Sequence, residues 1–91
     1  MYDEYLIKRI ISASKKKELK WNRRIVNGGK LFVCKYKLDR KKALLLKVFM
    51  GDDLSNSFLD IYMTGNIFIK RIDIMECSGL YNLIFNLDYV I

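Results

Sequence analysis

Ninety-one residues make a single-domain chain whose folding removes only about 60–65% of its unfolded surface from water, and a composition 52% hydrophobic and 30% charged excludes a disordered one. The absence of histidine excludes Ser–His and Cys–His nucleophile pairs and imidazole bases, and two cysteines forty-three positions apart exclude a clustered zinc site. The net charge of +7 is divided: residues 1–47 hold fifteen basic and four acidic side chains (+11), and residues 48–91 two basic and six acidic (−4). The positive charge therefore belongs to one half of the chain, which points that half toward a polyanionic partner.

Residues 2 to about 14 read as an amphipathic helix. Tyr2, Tyr5, Leu6, Ile10 and Ala13 recur at helical spacing, Ile7 and Ile11 widen the stripe, and Lys8, Arg9, Ser12 and Lys15 fall opposite. Two acids among the first four residues and no apolar run behind them do not describe a signal peptide. No uncharged stretch approaches the length of a membrane span. The expectation is a cytoplasmic protein with reduced thiols, Cys34 as a small buried hydrophobe and Cys77 in a loop, a Cys34–Cys77 disulfide being the lesser alternative. Eleven isoleucines, twelve lysines and six asparagines against two alanines are what AT-rich codons produce. Many small phage and mobile-element accessory proteins share that bias.

From Glu18 the period changes to two. Leu19, Trp21 and Ile25 alternate with Lys20, Asn22 and Arg24 up to Asn27-Gly28, a hairpin signal of the type I′ kind. A two-residue turn sets Val26 opposite Gly29, so paired positions sum to 55. Trp21 and Ile25 then share an apolar face with Phe32, Cys34, Tyr36 and Leu38, while Lys20, Asn22 and Arg24 share a cationic face with Lys35 and Lys37. After the charged turn Asp39–Lys42, the segment Ala43–Met50 is apolar on both faces, which marks a central strand or one covered by a helix or partner chain. Gly51–Ser57 reads as a loop. Phe58–Thr64 and Ile67–Ile74 form a second hairpin around Gly65-Asn66, with positions summing to 131 and Asp60 set against Arg71. Tyr81, Leu83, Phe85, Leu87, Tyr89 and Ile91 alternate as a last strand, although Leu80, Leu83, Ile84, Leu87 and Ile91 also fit a helix. The expected architecture is α+β in one domain, 1–91: an N-terminal helix over about 2–14, then a five- to six-stranded antiparallel β-meander over about 18–91.

The loop Asp52, Asp53, Ser55, Asn56 and Asp60 lacks the EF-hand glycine and closing glutamate, and Gly28-Gly29-Lys30 lacks the spacing of a phosphate loop. No metal and no cofactor is expected. What remains is Lys15–Lys42, with twelve basic residues against Glu18 and Asp39. The expected function is non-enzymatic binding of nucleic acid, or of a nucleic-acid-handling complex, by a basic helix-hairpin face. Lys20, Arg24, Lys35, Lys37, Arg40, Lys41 and Lys42 would contact phosphates, with Lys15–Lys17 and Arg23 adding field. Because the register turns Trp21, Phe32 and Tyr36 inward, backbone contact is expected rather than base stacking. The alternative is a protein–protein inhibitor or adaptor using the second face of Ala43–Met50 and a sheet edge, as small anti-defence proteins of the anti-CRISPR kind do, with a homodimer as its simplest version. A third reading assembles Arg71, Lys70, Tyr62, Tyr36 and Lys35 into a histidine-free ribonuclease toxin, which the expected element order does not favour.

Overall fold

A computed structural model describes residues 2–16, 18–37 and 40–90. Helix α1 (Tyr2–Lys15) precedes five strands, β1 (Asn22–Val26), β2 (Gly29–Lys37), β3 (Ala43–Gly51), β4 (Phe58–Met63) and β5 (Ile67–Asp73), and helix α2 (Ser78–Val90) closes the chain, with one 3₁₀ turn at Leu54–Asn56. The strands form a single antiparallel sheet in sequence order, so β3 is central, as its two apolar faces require.

Both hairpins keep the expected registers over most of their length. In the first, Asn22 faces Val33 and Val26 faces Gly29. Its turn differs from expectation: only Gly28 has positive φ (84°), so the reversal follows the type II pattern, in which only the second central residue must be left-handed, and not type I′. Gly29 is required for a different reason. A β-carbon there would collide with the Met50 carbonyl oxygen of β3. In the second hairpin Phe58 to Ile61 pair with Asp73 to Lys70, placing Asp60 against Arg71 as expected. A bulge after Ile61 then slips the pairing by one residue, to Tyr62 with Phe68 and Met63 with Ile67. The turn itself spans three residues, Thr64 to Asn66, and not the expected two, with Gly65 (φ 84°) and Asn66 (φ 61°) in the left-handed region.

Side chains alternate across the sheet, and one side is covered by both helices. Phe32, Cys34, Leu46, Val48, Leu59, Ile61 and Ile72 meet Ile7, Ile10, Leu80, Leu83, Ile84 and Leu87 in one buried cluster. The N-terminal helix forms where expected, but its buried stripe is Ile7, Ile10 and Ala13; Tyr5 is 63% exposed. Trp21, half-buried, donates its indole N–H to Ser14 Oγ at 3.0 Å, tying the α1–β1 connection to the helix. The first strand starts at Asn22 and not near Glu18, and Ile25, expected in the core, is 71% exposed on this edge strand, opposite Lys30.

The principal correction is the C-terminal segment, which is helix and not a sixth strand. A five-stranded sheet is roughly 19 Å wide at about 4.8 Å per strand, and a single helix about 10 Å across leaves half of it in water. Leu80, Leu83, Ile84 and Leu87, at helical spacing, supply the second cover. The first turn of α2 approaches closely: a β-carbon on Gly79 would lie 3.3 Å from Ile7 Cγ2. Cys34 and Cys77 are both buried and not disulfide-bonded. Among the described residues no helix is long and apolar enough to cross a membrane.

Candidate nucleic-acid interface

The second side of the sheet carries the remaining positions of the same strands, and among the described residues neither helix packs on it. Strand pairing arranges them in rows. Arg24, Leu31, Phe49, Phe58 and Asp73 make the first, and Asn22, Val33, Lys47, Asp60 and Arg71 the second. Lys35, Leu45, Tyr62 and Phe68 make the third, with Lys37 and Ala43 beyond them. The open face is thus cationic along β1 and β2 and aromatic from β3 to β5.

Its centre is an ion pair built on rings. Arg71 donates from Nε to Asp60 Oδ1 at 2.7 Å and from Nη2 to Oδ2 at 2.9 Å, a bidentate fork. The carboxylate side chain is 8% exposed and the guanidinium 50%, so the cation presents one side to water. The hydrogen bond to Asp60 pushes the Arg71 pKa upward, holding the guanidinium charged. Its other side lies 3.8 Å above the Phe58 ring centroid, and Phe58 stacks on Phe49 at 5.2 Å. Nearby, the Lys47 ammonium sits 4.7 Å over the Tyr62 ring, whose edge meets Phe68 at 5.4 Å. Phe68 is 52% exposed.

The seven cations singled out from the sequence do not form one surface. Arg24, Lys35 and Lys37 stand exposed on the open face, and Lys20 joins Lys35 and Lys37 around a depression of about 770 Å³ beside the α1–β1 connection, which Glu18 also lines. Arg40, Lys41 and Lys42 are exposed in the β2–β3 turn, and Lys41 and Lys42 border a second depression on the helix side. Lys15 and Lys16 are exposed at the end of α1, Lys17 lies outside the described residues, and Arg23 pairs with Phe32 and so points away from the open face. The five residues considered for a ribonuclease do not converge. Tyr36 is buried beneath the helices and Lys70 lines the helix-side depression, whereas Arg71, Tyr62 and Lys35 are on the open face.

The sequence named none of Phe49, Phe58, Phe68 or Lys47 as site residues, and it singled out Tyr62 and Arg71 only for the ribonuclease reading, not for an outward aromatic face. Each strand alone shows alternation, but which aromatics become neighbours depends on the β3–β4 register, Phe49 opposite Phe58. A seven-residue loop, Gly51–Ser57, does not fix that register in the way a two-residue turn does. In the structure Asp53 Oδ1 accepts from Ser55 N at 3.1 Å and Ser57 Oγ accepts from Gly51 N at 3.2 Å, so the loop's polar residues hold its own backbone. The chain matches no protein-family model, no curated protein and no solved structure.

Proposed function

We propose that the protein binds single-stranded nucleic acid on the open face of its sheet, without catalysis. The observation that carries this reading is that the exposed Phe68 and the half-buried rings of Phe58 and Tyr62, the latter two capped by Arg71 and Lys47, share one face of the sheet with the exposed cations Arg24, Lys35 and Lys37. Cations along β1 and β2 neutralise phosphates and release counterions. Unpaired bases lie across β3 to β5, stacking on Phe68 and on the outward plane of the Arg71 guanidinium. This differs from backbone contact alone, because the face offers a π-surface as well as charge. A sheet face with rings at its surface selects strands whose bases are unstacked, so single strands bind more tightly than duplex.

The test is fluorescence anisotropy with labelled single- and double-stranded RNA and DNA, titrated through salt. Affinity for single strands should fall with a steep log–log slope, and reversing Lys35 and Lys37 to glutamate should flatten it by about 0.7 for each phosphate no longer neutralised. Phe68→Ala should weaken binding by the 1–3 kcal/mol typical of one stacked base while leaving the slope unchanged. Binding no tighter than about 10⁻⁴–10⁻⁶ M at physiological salt, or unchanged in both variants, overturns the reading.

A second reading rests on the outer edge of β5. Ile67, Phe68 and Ile69 are 61%, 52% and 45% exposed in succession on an edge strand, which natural sheets usually cover. A protein partner or a second copy adding a strand there would account for them. Light scattering on the intact protein and on Ile67→Lys separates a dimer from a monomer.

A further inference from the structure

Strand β1 is shorter than the strand it pairs with. Its ladder with β2 ends at Asn22, opposite Val33, whereas β2 runs on to Lys37. The chain before Asn22 does not continue the ladder. Among the described residues no backbone hydrogen bond joins 18–21 to 34–37, and Trp21 turns to Ser14 on the helix side. The last four residues of β2 therefore pair only with β3, from Cys34 with Leu46 to Lys37 with Ala43. The gap beside them is the depression of about 770 Å³, with Glu18, Leu19 and Lys20 on one wall and Val33 to Lys37 on the other.

Strand geometry decides which backbone groups face that gap. Asp52 N donates to the Gly28 carbonyl at 2.8 Å, a hydrogen-bonded pair that continues the β2–β3 register. Such pairs alternate, so even positions of β2 turn their N–H and C=O toward β3 and odd positions turn theirs away. At Gly29, Leu31 and Val33 the odd groups meet β1, and at Lys35 and Lys37 they meet no strand. We propose that this open edge receives one β-strand from an acidic partner protein, an extended segment whose side chains alternate acid, apolar, acid.

The backbone makes the edge a strand acceptor, and the side chains choose the strand. Residues opposite Lys35 and Lys37 share their face, where a carboxylate across from an ammonium is favourable and a second cation is not. Lys20 adds an exposed ammonium from the facing wall, and Glu18 is the one carboxylate among the described lining residues. The residue between the two acids falls opposite Tyr36, on the helix side, where Ala13, Leu19 and Cys34 offer an apolar floor. Lysine along a free edge discourages cationic or apolar strands from adding there. A second copy of this chain is such a partner, since its β1 would bring Arg23 and Arg24 and its β5 the apolar run Ile67–Ile69. The occupant is therefore a different, acidic chain. The side chains of Lys35 and Lys37 also belong to the proposed nucleic-acid face, but the main-chain groups of this edge do not, so the two readings fail separately.

The experiment is a two-dimensional amide NMR titration of the full chain with capped heptapeptides that alternate glutamate and valine. The proposal is supported when this peptide shifts the amides of Lys35, Tyr36 and Lys37 together with Leu19 and Lys20, and a lysine–valine counterpart does not. N-methyl groups then read the register. The glutamates lie in hydrogen-bonded pairs with Lys35 and Lys37, so methylating two glutamate nitrogens should weaken binding about tenfold or more, the loss of two backbone hydrogen bonds. Methylating two valine nitrogens, which point away from β2, should change affinity far less. Lys35→Glu with Lys37→Glu, both at exposed positions, should invert the preference, so that the lysine–valine peptide binds and the glutamate–valine peptide does not. Equal affinity for the two peptides, equal losses from the two methylation patterns, or an uninverted preference in the double variant overturns the proposal. So do shifts confined to β5 and the open-face aromatics. A spectrum unmoved by every peptide, while a single-stranded oligonucleotide shifts the same edge amides, overturns it as well and gives the notch to nucleic acid.

Discussion

The two sides of this sheet are built from the same five strands with the same two-residue alternation, yet they differ in kind. Beneath the helices, Phe32, Val48, Leu59 and Ile72 are fully buried in a row. The adjacent row on the open side, Leu31, Phe49 and Phe58 between Arg24 and Asp73, is only half-buried. The fully buried strand positions on the covered side are apolar, because nothing there can satisfy a charge. Open positions mix rings with cations and one forked ion pair. A side that merely faced water would need neither three strands of aromatics nor guanidinium stacking. Apolar area left half-wet along one face, while the matching row of the other is fully buried, is what a binding surface requires.

The largest expected effect puts one residue type on each side. Phe32→Ala should cost about 3–5 kcal/mol, the range for a phenylalanine deleted from a packed core. Phe58→Ala, deleting a half-exposed ring, should cost about 1–2 kcal/mol from its buried area and its stacking on the guanidinium. Urea unfolding of both variants measures the gap. Equal losses would mean that the open face is as sealed as the covered one, and the binding proposal would lose its premise.

Next in size is Arg71→Met. It leaves Asp60, whose side chain is 8% exposed, without its two-hydrogen-bond partner, and should cost about 1–3 kcal/mol. Pairing it with Asp60→Leu should recover most of the loss, since an apolar pair of similar shape carries no stranded charge. A double-mutant cycle with no coupling would place the fork outside the stability of the sheet.

These two comparisons also mark what was legible beforehand. The two-residue turn at Asn27-Gly28 fixed the first register. In the second hairpin the pairs next to the turn are one residue off the count, and the bulge after Ile61 restores it, so Asp60 meets Arg71 as counted although the turn alone does not dictate it. Two apolar faces on Ala43–Met50 placed that strand at the centre. The C-terminal segment was ambiguous because Tyr81 and Phe85 complete a two-residue alternation, although they stack on each other at 5.7 Å on the outer side of a helix, 43% and 61% exposed. The width of the sheet resolves it: one amphipathic helix cannot cover five strands. The open-face aromatics were hidden for a different reason, since they become neighbours only through the β3–β4 register, which no short turn dictates.

On the covered side, burial pushes the Cys34 thiol from 9.0 up to about 11. The folded protein therefore keeps its proton where the unfolded chain has given it up. The stabilisation is complete below pH 9 and is lost as pH rises from 9 toward 11, by at most about 2.7 kcal/mol for two units. Lysines also titrate there, so the quantity to measure is the difference between the wild type and Cys34→Val in unfolding free energy at pH 8 and pH 10.5. Cys34 should also resist iodoacetamide at pH 8 until the fold is opened. Parallel pH curves for the two proteins would show that water reaches the covered face.

The smallest expected effect is the most informative about function. Lys35 and Lys37 are exposed on the open face, and reversing both to glutamate should change stability by no more than about 0.5 kcal/mol. The sign should lean toward stabilisation, because the chain carries a net charge of +7 and each reversal lowers its self-repulsion. A charge that the fold does not need, on a face it leaves half-wet, is available to a partner. An unchanged urea midpoint together with the disappearance of salt-dependent affinity for single strands assigns that charge to a polyanion. A drop of several kcal/mol would instead return Lys35 and Lys37 to the architecture of the sheet, and the open face would then have to be argued from its aromatics alone.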